Sequence, residues 1–127
     1  MFHYTRETAK TPEQAIAALA ENLQAEKFGV LWHLDIREKL KEKGVDLNVA
    51  YHVLEICNPH EAKRVLTEDL LVGYFLPCKI VVYKDGEKTK IGMPKPTVLV
   101  SMAENETLRS VAEDVERRLA ACIDRSV

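Results

Sequence analysis

Cys78-Lys79-Ile80-Val81-Val82-Tyr83, with Asp85-Gly86 close behind and a return run from Glu87 to Ile91, is the stretch that decides the fold. Its β-branched and aromatic residues predict a strand. Asp85 and Gly86 both tolerate the positive φ of a tight turn, so the chain is expected to double back as a hairpin. A hairpin of this kind sets up an antiparallel sheet. The rest of the chain can then be read for what pairs with that sheet and what covers it.

Three further segments carry strand patterning. Tyr51 to Cys57 alternates apolar and polar residues, Val30 to Leu34 is apolar and follows Gly29, and Phe2 to Thr8 alternates from an aromatic start. Helix starts separate them. Thr11-Pro12-Glu13-Gln14 combines a cap, a proline suited to the first helical position and a box-closing Gln14. Ile16, Leu19 and Leu23 then form one face, and Gly29 is read as the left-handed residue that ends the helix. Asp35 caps a short helix that stops at Gly44, with Glu38 placed to close its box. Asn58-Pro59-His60-Glu61 repeats the logic, with Asn58 as cap, Glu61 as box closer, and Ala62, Val65 and Leu66 as the buried face. The final helix, from about Glu106 to Asp124, presents Leu108, Val111, Val115, Leu119 and Cys122 at steps of three and four.

Three connectors are less determined. Leu70 to Leu76 is an apolar connector broken by Gly73. Met93-Pro94-Lys95-Pro96 reads as kinked. Thr97 to Met102 carries both signals, β-branched content for a strand and Pro96 for a helix start. The sum is a two-layer α+β sandwich. Its antiparallel sheet has four to five strands, with the first and last helices packed on one face. Trp32 is expected to be at least partly buried.

Length and composition agree with a single domain spanning 1–127. The chain has 46% hydrophobic and 30% charged residues, enough apolar material for a core without a metal or disulfide staple. Its 18 basic residues face 20 acidic ones, a net charge of −2, and the two signs are interleaved. Nucleic-acid binders draw much of their affinity from a basic excess, so nucleic acid is not an expected partner. No run approaches the ~20 apolar residues of a membrane span, so no membrane partner is expected either. Residues 1–10 are polar and alternating, unlike a signal peptide, and the cysteines Cys57, Cys78 and Cys122 are odd in number. Both features point to a reducing, cytoplasmic setting.

Leu54-Glu55-Ile56-Cys57-Asn58-Pro59-His60-Glu61-Ala62, together with Leu76-Pro77-Cys78-Lys79-Ile80-Val81-Val82-Tyr83, resembles the family called domain of unknown function 302. That family pairs a Cys-Asn-Pro element before a helix with a Leu-Pro-Cys element opening a strand. Phe28-Gly29-Val30-Leu31 and the single Pro96 before the last helical region match as well, so the resemblance covers essentially the whole chain. Glu55 departs from it, standing where the family pattern usually has a small residue. The resemblance implies a compact α+β fold in which helices cover one face of a curved sheet, similar to the TATA-binding-protein-like arrangement. It also implies a homodimer. It implies no activity.

The residues themselves offer several candidate sites. Cys57 precedes a helix N-terminus, where the dipole and free amides favour a thiolate, and Cys78 opens another strand. If those strands are neighbours, Cys57, Asn58 and Cys78 form a redox or ligand site. Alternatively the two cysteines are small core residues. Cys57 is expected to be the most acidic thiol and Cys122 the least. His60, three residues after Cys57, could join Cys57 and Cys78 as a three-ligand metal site, or simply face solvent. His33 and His52 could be cross-strand neighbours. Lys79, Lys63 and Arg64 could hold an anion or form a solvated basic surface.

No phosphate-binding glycine loop, nucleophile elbow or HExxH is present. Whether the chain is an enzyme, and what cofactor it would use, therefore stays open. The expected function is a non-catalytic homodimeric domain that binds a small ligand or a partner. The alternative is a thiol-based redox or metal-binding protein using Cys57 and Cys78. The apolar residues Leu70, Leu71, Val72, Tyr74 and Phe75 are a candidate dimer patch.

Overall fold

The computed structural model describes residues 1–127. The elements run β1 (His3–Thr8), α1 (Pro12–Ala25), β2 (Gly29–Asp35), α2 (Ile36–Glu42), β3 (Tyr51–Cys57), α3 (Pro59–Glu68), a 3-10 segment (Leu70–Phe75), β4 (Cys78–Asp85), β5 (Lys88–Pro94), α4 (Pro96–Ser101) and α5 (Glu106–Ser126). The sheet is open, with order β1-β5-β4-β3-β2, and every neighbouring pair is antiparallel.

The β4–β5 hairpin lies where the sequence places it, with one shift. Asp85 pairs with Lys88, so Gly86 and Glu87 form the two-residue loop, and Gly86 takes φ +63°. The return strand is also longer than expected. Met93 and Pro94, read as part of a kinked connector, pair instead with Tyr4 and His3 of β1. The β4–β5 ladder stops at Val81 and Gly92, leaving Cys78–Ile80 and Met93–Pro94 unpaired with each other. Pro94 has no N–H to offer a second neighbour, so it is tolerated only where one side of the strand is free. Gly92 is fixed by close approach, because a Cβ there would stand 2.7 Å from Thr5 Oγ1.

Period-two alternation puts Leu54, Ile56, Ile80, Val82, Ile91 and Met93 on one face of the sheet, all buried. Ala15, Leu19 and Leu23 of α1 join that core, with Val111, Val115, Leu119, Cys122 and Ile123 of α5. The first and last helices therefore share one face, and the fold is a two-layer α+β sandwich. The other face carries Tyr51, Val53, Glu55, Val81 and Tyr83 and has no helix over it. Trp32, opposite Glu55, also turns to that face and keeps 51% of its surface exposed. It lies on the edge strand next to a register irregularity between Val30 and Trp32, the kind of bulge that blunts a sheet edge.

The helix boundaries follow local chemistry, with three differences from the sequence reading besides the box at Asp35, which accepts from the Glu38 N–H (3.1 Å) but gets no bond back from the Glu38 side chain. At α1 the capping box is complete: Gln14 N–H donates to Thr11 Oγ1 at 3.2 Å, and Thr11 N–H to Gln14 Oε1 at 3.0 Å. The left-handed residue after α1 is Lys27, with φ +65°, and Gly29 instead opens β2. Thr97–Ser101 is helical, with Met102 as the C-cap. Pro96 supplies the first helical position of α4, and Glu116 of α5 accepts both the Thr97 N–H (3.1 Å) and the Thr97 hydroxyl (2.7 Å). A tertiary contact thus overrides β-branched propensity. The third difference, at Glu61, belongs to the site. No helix is long and apolar enough to cross a membrane.

Candidate functional site

The ends of β3 and β4 and the start of α3 converge on a cavity. Ile56 and Cys57 close β3, Cys78 opens β4 opposite Ile56, and Asn58 caps α3. The side chain of Asn58 accepts from the amides of His60 (3.0 Å) and Glu61 (3.2 Å). This bond holds the helix start against the strand end. Asn58→Ala is expected to cost about 1 kcal/mol through loss of that cap, readable as a lower denaturant midpoint with unchanged slope.

The cavity itself has a volume of about 400 Å³. The unpaired ends of β4 and β5 open one side of it. α3 contributes Ala62, Val65 and Leu66, and the remaining wall comes from the 3-10 segment, α4 and α5. Three-residue periodicity in the 3-10 segment turns Val72 and Phe75 inward and leaves Leu70, Leu71 and Tyr74 outside, 80%, 59% and 84% exposed. The apolar run 70–75 therefore does two jobs. Half of it lines the cavity, and half is surface.

Cys57, Asn58 and Cys78 all line this one cavity, so the fold brings together the residues the sequence singles out. All three cysteines are free. Burial pushes the Cys78 thiol up to about 11, and the neighbouring Cys57 adds to the effect. Burial also raises Cys122, where nearby Arg125 works in the opposite direction. The strongest upward push thus falls on Cys78 and not, as expected, on Cys122. His60 stands exposed in the first turn of α3 and does not line the cavity. Cys57, His60 and Cys78 are not assembled as ligands, and no three His, Cys, Asp or Glu side chains converge as a metal-holding group. Proline at the first helical position sets α3 off so that His60 faces water. Of the candidate anion site, Lys79 borders the cavity, whereas Lys63 and Arg64 sit exposed on α3.

Glu61 is the residue whose role the sequence reading misplaces. It does not close a capping box. Its side chain is only 21% exposed and turns toward the cavity wall. Oε1 lies 3.7 Å from Arg118 Nη1, and Oε2 lies 3.9 Å from Arg64 Nη1 and makes no hydrogen bond. Arg118 is held elsewhere. It donates to the Glu26 carbonyl (2.8 Å), to Glu26 Oε1 (3.3 Å) and to Asp114 (3.4 Å), and it stacks 4.9 Å from the Phe28 ring centre. The signal in the sequence was a carboxylate next to the apolar face of α3, which a solvated first turn explains equally well.

A second polar contact lies at the far end of β3. His33 and His52 meet as anticipated, Nε2 to Nδ1 at 2.8 Å. His52 is buried, and desolvation holds its pKa below the usual histidine value. His33 and Arg37 act in the same direction, and Asp35 and Glu13 oppose them. A lowered folded-state pKa means that the unfolded chain takes up the proton first. The stability due to neutral His52 is therefore complete above about pH 6.5 and is lost as pH falls through that value toward the folded pKa. Melting temperature is expected to drop between pH 7.5 and pH 5 in roughly that window, and His52→Gln should flatten this part of the profile.

The profile of the family described as Domain of unknown function DUF302 matches residues 4–126. A solved structure, described as the crystal structure of an uncharacterized conserved DUF302 protein from Bacillus stearothermophilus, is similar to the chain over its full length. Sequence identity is 54% and the TM-score 0.97, with 100% of this chain and 99% of the other covered. No curated protein matches the chain.

Proposed function

We infer that this chain, which belongs to the DUF302 family, is a non-catalytic homodimeric domain that binds a small ligand between its sheet and its helices. The observation that carries this reading is the apolar cavity of about 400 Å³ at the strand ends. It falls within the range of roughly 300–1,000 Å³ typical of small-molecule sites. Interiors normally pack without such space, and an unfilled cavity costs stability, so a retained one points to an occupant. Cys57, Asn58 and Cys78 form the candidate ligand-contacting edge.

The homodimer reading draws on the sheet face that no helix covers. Its exposed aromatic and aliphatic groups include Phe2 at 66%, Trp32 at 51% and Tyr74 at 84%. Phe2 and Tyr74 rim a shallow concavity floored by the stacked pair Tyr51 and Tyr83. Apolar exposure of this kind commonly marks an interface.

The test is organic extraction of the purified protein with mass-spectrometric analysis, alongside thermal-shift screening of small apolar compounds. The expected result is a co-purifying compound, or a stabilisation that rises with concentration toward about 2.7 kcal/mol at a hundredfold excess over Kd. Absence of both would defeat the ligand reading. Light scattering at micromolar protein should give a dimer mass, and a monomer mass ends the homodimer reading.

A second reading, a thiol-based redox protein using Cys57 and Cys78, is favoured by one observation: both thiols line the same cavity. Selective modification of these two cysteines under mild oxidant would support it.

A further inference from the structure

Glu55 on β3 and Lys79 on β4 stand in register on the uncovered face of the sheet, yet neither makes an ion pair within the chain. The same register sets Val53 beside Val81 and Tyr51 beside Tyr83, with the two tyrosine rings stacked. Each outward position of β3 therefore has a matching neighbour on β4: opposite charge, aliphatic with aliphatic, aromatic with aromatic. Period two turns six charged strand residues to this face, and Glu7, Glu55 and Asp85 balance Lys79, Lys88 and Lys90. Lys90 already pairs with Asp85 (2.7 Å) and Glu7 (4.0 Å), and Lys88 lies out at the hairpin end. A face without net charge offers little to a polyanion or a polycation. The unpaired charges near its middle, Glu55 and Lys79, are of opposite sign and adjacent, which is what a copy of the same face requires.

We propose that two copies pack sheet to sheet about a two-fold axis running along the strands between β3 and β4. This rests on the homodimer reading above and specifies its interface. Such an axis lays β3 of one copy over β4 of the other. Glu55 then meets the partner's Lys79, Val53 its Val81 and Tyr51 its Tyr83, and each contact occurs twice, as in any isologous interface. One strand further out, Leu34 lies over the partner's Gly92, where no side chain stands in the way, and Trp32 lies over the partner's Pro94. An axis across the strands would instead lay Glu55 on the partner's Tyr51 and Lys79 on its Tyr83, desolvating two charges without pairing them. The area is sufficient. Five strands ~4.8 Å apart and six to eight residues long at ~3.3 Å per residue make a face of roughly 24 by 20 Å. Phe2 and Tyr74, 66% and 84% exposed, add on the order of 300 Å² at its border. The sum is close to the ~800 Å² that each partner contributes to a stable interface.

Charge reversal with sedimentation analysis tests it. Glu55→Lys puts lysine against lysine at both contacts, and Lys79→Glu puts glutamate against glutamate. Each single variant should dissociate at least about a hundredfold more readily than the unmodified protein. An equimolar mixture of the two variants should recover a dimer, because every lysine then meets a glutamate across the interface. If both single variants stay dimeric, or if the mixture stays monomeric, the interface lies elsewhere or in another register, and this inference fails while the homodimer reading stands. If the unmodified protein is itself a monomer at micromolar concentration, both fail. The unmodified protein gives a second measurement that needs no variant to fold. Trp32 is the only tryptophan and lies inside the proposed interface, so its emission should shift to the red over the dilution range in which sedimentation shows dissociation. Emission unchanged through that range would also overturn the interface.

Discussion

Leu19→Ala is expected to destabilise the protein by about 2–5 kcal/mol, lowering Tm by roughly 10–20 °C. Leu19 is fully buried at the centre of the α1 stripe, between Ala15 and Leu23, and belongs to the core formed with α5 and the inner face of the sheet. Truncation removes its transfer free energy and leaves a void that neighbouring strands, tied by ladders on both sides, can collapse into only partly. The void is separate from the natural cavity, whose wall does not include Leu19. The loss should therefore appear in urea unfolding as a lower midpoint at unchanged slope. A change below 1 kcal/mol would mean that α1 is not packed as described.

The second large effect concerns thiol reactivity. With its thiol pushed up to about 11 from an ordinary 9.0, Cys78 carries roughly a hundredfold less thiolate at pH 8 than an unperturbed cysteine. Because the thiolate is the reacting form, and a more basic thiolate is roughly tenfold more nucleophilic, alkylation of Cys78 by iodoacetamide should be at least about tenfold slower in the folded protein than in urea. Restricted access inside the cavity can only slow it further. Mass spectrometry of the labelled peptide follows the rate directly. A Cys78 that reacts as fast folded as unfolded would overturn the burial described here and would strengthen the redox reading.

The elements that the sequence predicts correctly are those decided by neighbouring residues. Thr11 with Gln14, Asn58 before Pro59, and the stripe Leu108 to Cys122 carry their own geometry, and the structure reproduces each. Asp85-Gly86 locates the hairpin to within one residue. Where distant residues decide, the sequence reads ambiguously. Thr97–Ser101 is helical because Glu116 holds Thr97, a contact across nineteen positions. Met93 and Pro94 are strand because β1 returns to them from the other end of the chain. The candidate site divides the same way. Cys57, Asn58 and Cys78 were legible because strand ends and a helix cap mark them. The cavity was not, because its wall is assembled from β3, β4, β5, α3, α4, α5 and the 3-10 segment, none of which announces a shared hollow. Glu61 reads as a box closer because its spacing from Asn58 satisfies that pattern, and only tertiary packing turns it toward the cavity.

The strand order has a consequence for how the chain acquires its structure. β1 is first in sequence but sits beside β5, and its Tyr4 and Arg6 reach Asp124 near the end of α5. β1 has no partner until β5 is available, because Thr8 pairs with Thr89. β2 through β5 each pair with the next strand in sequence, so they can assemble early. Joining β1 closes the longest loop in the sheet, which makes it the slow, high-contact-order step. Until then β5 presents an open edge and α5 lacks part of its docking surface. The folding chain is thus most exposed to mispairing before β1 docks.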